Sequence, residues 1–230
     1  MIYGHHAVEA VLRNPRRSIK RLFATENAAR RLTPAIEARG IAPELLEIRG
    51  LDRLVGADAR HQGIVVEAEP LAQPDLATLS GADLVVVLDQ ITDPQNVGAI
   101  LRSAAAFGAA AIVTTARNSP PISGTLAKAA SGALEHVGVV KVTNLAAALR
   151  ALGDQGFFRI GLDAEADENL EAQSFSGKTA LVLGAEGKGL RRLTGENCDL
   201  LCRLRTAGGL DSLNVSNAAA IALHTVLINR

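Results

Sequence analysis

Leu84-Val-Val-Val-Leu88, running on through Asp89-Gln-Ile-Thr-Asp93-Pro-Gln-Asn96-Val-Gly-Ala-Ile-Leu-Arg102, is the stretch on which the fold turns. An unbroken apolar run with β-branched residues at its centre describes a strand buried on both faces, as in the middle of a parallel sheet. Asp93-Pro94 then reads as a helix N-cap followed by proline in the first turn. Val97, Ile100, Leu101 and Ala104 recur at helical spacing and give that helix one apolar face. The strand-then-helix pattern continues outward. Further strands are expected at 111–115, 137–142, 159–162, 180–183 and 200–204, with helices at 97–107, 124–134, 145–152 and 213–228. Alternation of this kind predicts an α/β chain whose parallel sheet binds its ligand at the C-terminal edge.

Composition narrows the function classes. The 230 residues carry 24 Lys+Arg against 24 Asp+Glu, 48% hydrophobic residues and 3% aromatics, with no Trp. Zero formal charge excludes a bulk-electrostatic nucleic-acid binder, and scarce aromatics exclude one that stacks bases on aromatic platforms. RNA itself survives both tests if positive charge is gathered locally. Met1-Ile-Tyr-Gly-His-His lacks the n-region and h-region of a signal peptide, and no apolar run is long enough to span a membrane, so a cytoplasmic location is expected. Cys198 and Cys202 have no companion ligands at metal spacing and read as reduced, partly buried thiols; no metal is expected.

The first seventy residues form a separate, small α/β module. Helices are expected at 7–12, at 27–39 and from 51, with strands at 22–24 and 63–68. Residues 71–80, with Pro74, read as a linker, and 81–230 as the larger domain. Between positions 10 and 39 lie Arg13, Arg16, Arg17, Lys20, Arg21, Arg30, Arg31 and Arg39, opposed only by Glu26 and Glu37. The acidic run Asp163, Glu165, Asp167, Glu168, Glu171 reads as a solvated loop.

Polar residues concentrate at three places in the larger domain. Around 89–102, Arg102 lies off the apolar stripe of its helix and is available to a cleft, with Asn96 earlier on the same helix. Gly184-Ala-Glu-Gly-Lys-Gly189 follows a strand but lacks the dinucleotide-binding spacing, and Glu186 would repel a pyrophosphate. A neutral or cationic ligand suits that loop better. Asp211-Ser-Leu-Asn-Val-Ser-Asn217 opens a helix rich in alanine, with Asp211 or Ser212 as its expected cap and Asn214, Asn217 and His224 along one side.

Taken in order, the three segments resemble the motifs of the SpoU-type RNA 2'-O-ribose methyltransferases of the SPOUT superfamily: Asp93 to Arg102, Leu183-Gly-Ala-Glu-Gly-Lys-Gly-Leu190, and Ser212-Leu-Asn-Val-Ser216. Lys128 to His136, the N-terminal Tyr3-Gly-His-His-Ala-Val-Glu and His61-Gln-Gly63 resemble the branch acting on guanosine in 23S rRNA. The resemblance implies a parallel-sheet domain with a deep trefoil knot, and a small ribosomal-protein-like RNA-binding domain before it. It also implies a homodimer, 23S rRNA as substrate, and neither DNA nor membrane as partner. S-adenosyl-L-methionine would be the methyl donor, held at Gly184, Leu204 and Leu213. Arg102 and Asn96 would serve the ribose hydroxyl, with Glu186, Ser212 and Asn214 shaping the pocket. The family commonly has Ile-Pro-Met where this chain has Leu204-Arg-Thr206.

An arginine is effectively never deprotonated, so Arg102 is expected to grip a phosphate and orient the hydroxyl rather than act as a base. RNA contacts are expected at Arg13, Arg16 and Arg17, and at Arg191 and Arg192, with Lys188, Arg203 and Arg205 nearby. The competing readings are the same reaction on a transfer RNA guanosine, or a non-catalytic RNA-binding or ribosome-assembly protein of the same fold. A nucleotide-dependent oxidoreductase is disfavoured by Glu186 and the missing fingerprint.

Overall fold

The computed structural model describes residues 1–208 and 213–230. Its N-terminal unit runs β1 (Ile2–Tyr3), α1 (His5–Arg13), β2 (Ile19–Ala24), α2 (Glu26–Arg31), α3 (Thr33–Arg39), β3 (Glu44–Leu45), α4 (Ile48–Val55) and β4 (Ile64–Ala68). The four strands form one sheet in the order β1-β4-β2-β3. Alternation explains how it is covered on both sides. Leu22, Ala24, Ile64 and Val66 face α1 and α3 through Val8, Val11, Leu12 and Ile36, whereas Phe23 and Val65 face Leu51 of α4. The single helix expected at 27–39 is two helices. Pro34 has no N–H to donate and its ring collides with the preceding turn, so the chain breaks at Leu32 (φ −107°) and restarts.

The larger unit contains β5 (Leu84–Leu88), α5 (Pro94–Ala106), β6 (Ala111–Thr115), α6 (Gly124–Ala130), β7 (Gly138–Val142), α7 (Leu145–Asp154), β8 (Phe158–Leu162), β9 (Glu168–Asn169), β10 (Thr179–Leu183), α8 (Arg192–Gly195), β11 (Leu200–Arg203) and α9 (Val215–Ile228). Its seven strands lie in the order β7-β6-β5-β10-β8-β11-β9, and all their pairings are parallel. The fully buried β5 has the two-faced environment its composition predicts. Val85 and Val87 pack toward α7 with Leu145, Leu149 and Leu152, while Leu84, Val86 and Leu88 pack toward α5, α6 and α9.

A plain doubly wound sheet would seat β8 beside β5. Here β10 lies between them, in register with β5 from Thr179↔Leu84 to Leu183↔Leu88. This brings the ends of two chemically rich segments, 89–102 and 184–189, side by side at the C-terminal edge. That is where parallel sheets bind ligands.

Several boundaries differ from expectation for local reasons. The 124–134 helix stops at Ser131, which is left-handed (φ 50°), and resumes as a 3-10 turn at Ala133–Glu135. Part of the acidic loop is the edge strand β9, hydrogen-bonded to β11 at Cys202↔Glu168 and Arg203↔Asn169. The second half of the segment read as linker is a 3-10 helix, Leu76–Gly81, whose Leu79 is buried against the sheet. Helix α9 is capped by Asn214, whose Oδ1 accepts from the backbone N–H of Ser216 and Asn217. Asp211 and Ser212, the expected caps, lie outside the described residues.

Candidate active site

Three loops meet where β5, β10 and β11 end. The loop after β10 is the tightest. A Cβ at Gly184 would lie 2.2 Å from the carbonyl carbon of Gly189 and 2.5 Å from the backbone nitrogen of Leu190, so the turn closes only around glycine. Gly187 and Gly189 both take positive φ, and the Gly189 N–H donates to the Ala185 carbonyl at 2.9 Å. The closed turn presents Glu186.

Glu186 ties the three polar segments together. Its Oε1 accepts from Asn214 Nδ2 (2.7 Å), the Val215 backbone N–H (3.0 Å) and Asn96 Nδ2 (3.3 Å). Asn214 Nδ2 also reaches Asn96 Oδ1 at 3.1 Å. The carboxylate thus sits at the N-terminal ends of both α5 and α9, where helix dipoles favour negative charge. The first N–H groups of α9 are satisfied from within, by Glu186 and Asn214, and offer no vacancy to a phosphate. Glu186 Oε2 takes no partner among the described residues.

Apolar side chains flank this trio. Leu213, next to Asn214, is 41% exposed, and Leu204 at the end of β11 is half-buried against the main core. Residues 205–208 are irregular, and Arg205 is exposed with its N–H donating to Glu171 Oε1 at 3.2 Å. Ser212 lies outside the described residues.

Arg102 is not part of the trio. It is exposed on α5 and lines a cleft with Gln95, toward the N-terminal unit. Positions seven apart share a helix face, whereas Asn96 and Arg102 are about 120° apart around α5. The structure therefore joins Asn96, Glu186 and Asn214 and leaves Arg102 on a second face of the same helix.

Asp89 is the residue that sequence reasoning passed over. Fully buried at the end of β5, it accepts from Arg191 Nε at 2.7 Å and from the Arg191 N–H at 3.0 Å. It pins the chain beyond the Glu186 turn to the neighbouring strand. The available signal was an acid directly after an unbroken apolar strand, where a carboxylate is tolerated only if paired.

The expected RNA-contacting cations fare unevenly. Arg17 is only 5% exposed and is locked to Glu135, itself 3% exposed, with Nη2–Oε1 at 2.6 Å; it cannot reach a ligand, which corrects the expectation. Arg13 pairs with Glu9, Arg191 with Asp89 and Arg192 with Glu196. Arg16 is exposed but bonds the Glu135 carbonyl at 3.3 Å. The polar stripe expected on α9 is interrupted, because exposed Ile221 and Ile228 alternate with Asn217 and His224.

A further concavity, lined by Arg150, Phe158, Arg159 and Asp199, lies at the opposite, N-terminal ends of β8 and β11. Arg159 is already spent on Asp199, whose carboxyl it holds below the usual range, and Arg150 donates to Asn197 Oδ1 at 3.3 Å. No helix among the described residues is long and apolar enough to cross a membrane.

Both cysteines are free. Burial pushes the Cys198 thiol up to about 12 and the Cys202 thiol up to about 11. Folding therefore favours the neutral thiols. That contribution is intact below the ordinary thiol range and is lost as pH climbs from there toward the raised values. At pH 8 a thiol reagent should label neither cysteine in the native protein and both in urea; rapid labelling of the native protein would contradict the burial argument.

Residues 83–224 match the SpoU rRNA Methylase family, and residues 1–74 match the RNA 2'-O ribose methyltransferase substrate binding family. The 23S rRNA (guanosine-2'-O-)-methyltransferase RlmB of Ralstonia nicotianae is 41% identical over 239 residues, covering 100% of this chain and 96% of its own. The RlmB of Escherichia coli K12 is 38% identical over 240 residues, covering 100% and 98%. In fold, the chain is similar to the SpoU methyltransferase AviRb from Streptomyces viridochromogenes, with a TM-score of 0.82 at 21% identity over 99% of this chain and 88% of that one. Three motifs gathered at one sheet edge and a family match over that whole unit lead to the same place: the chain belongs to the SpoU rRNA methylase family.

Proposed function

We propose that the protein transfers a methyl group from S-adenosylmethionine to the 2'-hydroxyl of a guanosine ribose in 23S rRNA. The observation that carries this is the Asn96–Glu186–Asn214 trio, which unites the three motif segments at the C-terminal edge of β5 and β10. The RlmB relatives, about 40% identical along the entire chain, support both the reaction and the rRNA substrate.

The residues suit the donor. A carboxylate oxygen without a partner among the described residues, the apolar side chains of Leu204 and Leu213, and the main chain around Gly184 favour a cation with an apolar body over an anion. When bound, S-adenosylmethionine supplies an electrophilic methyl group on a positively charged sulfur. Gly184, Leu204 and Leu213 are the proposed donor contacts.

The ribose hydroxyl is a weak nucleophile at neutral pH, so its orientation decides the rate. Arg102 holds a phosphate of the RNA and sets the hydroxyl in line for attack, while the hydroxyl proton leaves to water. Asn96 and Asn214 are kept in place by Glu186 and hydrogen-bond the ribose. By the helical rise, Arg102 lies about 9 Å along α5 from Asn96, a span of one to two nucleotides.

Residues 1–70 serve as the RNA-binding domain and 81–230 as the methyltransferase domain, with 71–80 connecting them and the 3-10 helix in its second half packed on the larger sheet. Arg13, Arg16 and Arg192 remain exposed enough to meet RNA, and Arg191 is half-exposed despite its bond to Asp89. A homodimer accounts for the apolar surface of α9, where Ile221, Leu227 and Ile228 are exposed in the single chain.

Incubating the protein with labelled S-adenosylmethionine and 23S rRNA transcript should place one alkali-resistant 2'-O-methylguanosine in the RNA. Label in transfer RNA instead would move the assignment to that substrate. Donor binding without transfer to any RNA would favour a non-catalytic protein of this fold.

A further inference from the structure

Between the N-terminal unit and helices α5 and α6 lies a cleft of about 550 Å³, lined among others by Gly4, Arg60, Gln62, Arg102, Lys128 and Ser131. Its charged walls hold three cations, Arg60, Arg102 and Lys128, against the carboxylate of Asp58. Among the described residues none of the three has an ion-pair partner within 4.0 Å. This reverses the situation in the patches read from sequence, where carboxylates occupy most of the arginines. Lys128 is half-buried, and its pKa is lowered first by burial and then by the neighbouring Arg60. Both effects penalise the cation in the free protein, and the attraction of an anion in the cleft would oppose both.

The walls are built, and at a cost in backbone strain. Of the non-glycine residues described with positive φ, Gln62 (58°) and Ser131 (50°) both line this cleft. Buried His61 fixes the first of them: its Nδ1 accepts from the Gly63 N–H at 3.0 Å, and its other ring nitrogen meets Asp52 at 3.1 Å. Gln62 then turns its Oε1 onto the His5 N–H at 3.0 Å and closes the first turn of α1, where Gly4 supplies no side-chain cap. On the other wall, a Cβ at Gly98 would lie 2.5 Å from the Ala129 Cβ, so glycine is what allows α6 to lie against α5. That approach brings Lys128 and Arg102, from different helices, to one cleft.

We propose that this interdomain cleft is a phosphodiester-binding subsite, in which Arg60 and Lys128 hold the backbone of the substrate RNA beside Arg102. The inference rests on the RNA methyl-transfer reading and extends it to a site outside the three motifs. A continuous strand fits better than a free phosphate, because an adjoining concavity that shares His6 and Ser131 with the cleft leads on to Arg13 and Arg16.

The test is the salt dependence of binding to 23S rRNA transcript for wild-type protein, Arg60→Gln, Lys128→Gln and the double variant. Each single variant should bind about fivefold more weakly at physiological salt and lower the slope of log K against log salt by just under one unit, and the double variant should lower it by about 1.5 units. Affinity for S-adenosylmethionine should not change, and Lys128→Arg should restore most of the RNA affinity. Arg60 is exposed, so Arg60→Gln decides the matter if Lys128→Gln lowers the melting temperature. Wild-type slopes in the variants overturn the subsite. So does a loss confined to inorganic phosphate or a nucleoside monophosphate, which would make it a small-anion site. Wild-type protein that neither binds nor methylates rRNA overturns the broader functional reading instead.

Discussion

Glu135→Ala should destabilise the protein by about 3–5 kcal/mol, because it leaves the Arg17 guanidinium buried without its counter-ion. In the intact protein this carboxylate is saturated. Oε1 accepts from Arg17 Nη2 at 2.6 Å, and Oε2 from Arg17 Nε at 3.1 Å and Asn14 Nδ2 at 2.7 Å. The remaining Arg17 donor reaches the Glu69 carbonyl at 2.7 Å, and Arg39 bonds the carbonyls of Asn14 and Arg17 from behind. The network crosses from α1 and its following turn to the 3-10 turn before β7, and so joins the two units at one buried point.

For a chain of this size, the loss corresponds to roughly 6–20 °C in melting temperature. It should be accompanied by faster proteolysis between residues 69 and 75, since undocking exposes that segment before either sheet melts. The double variant Arg17→Met/Glu135→Leu should recover most of the loss, because a buried pair replaced by apolar volume is often neutral. A Glu135→Ala protein that melts within about 1 kcal/mol of wild type would mean that water reaches Arg17 and that the junction is looser than its geometry.

This junction also shows what a sequence reading can and cannot see. Arg16-Arg17 stands in a basic run, and a basic run reads as surface. Nothing local reveals that Glu135, more than a hundred residues away, neutralises the second arginine. The strands were legible because burial on both faces leaves an apolar run with no alternation, and β5 begins and ends where that run does, between Asp83 and Asp89. Strand order was not legible. The apolar run of β10 would suit any central position, and its insertion between β5 and β8 depends on the path of the chain rather than on its own residues.

The site divides in the same way. Asn96, Glu186 and Asn214 were legible as motif residues, and their convergence follows once β5 and β10 are neighbours. Asp89 was missed because its only signal is its position at the end of a strand. Arg60 and Lys128 were missed for a different reason: each is a lone cation in sequence, and only the meeting of two units makes them a pair.

Arg102→Ala should lower the rate of methyl transfer by about 10²–10⁴-fold while leaving donor affinity within about twofold. The separation follows from where the side chain lies. Arg102 shares a face of α5 with Gln95, away from Asn96, and takes no part in the hydrogen bonds to Glu186. Truncating it removes no structural ion pair seen among the described residues, and alanine is the best helix former, so the melting temperature should hold or rise slightly. Arg102→Lys keeps the charge but loses the planar fork that grips a phosphate from two sides, and should recover only part of the rate. Lost donor binding in Arg102→Ala would place the residue in the donor pocket, and unchanged turnover on the true RNA would remove it from the reaction.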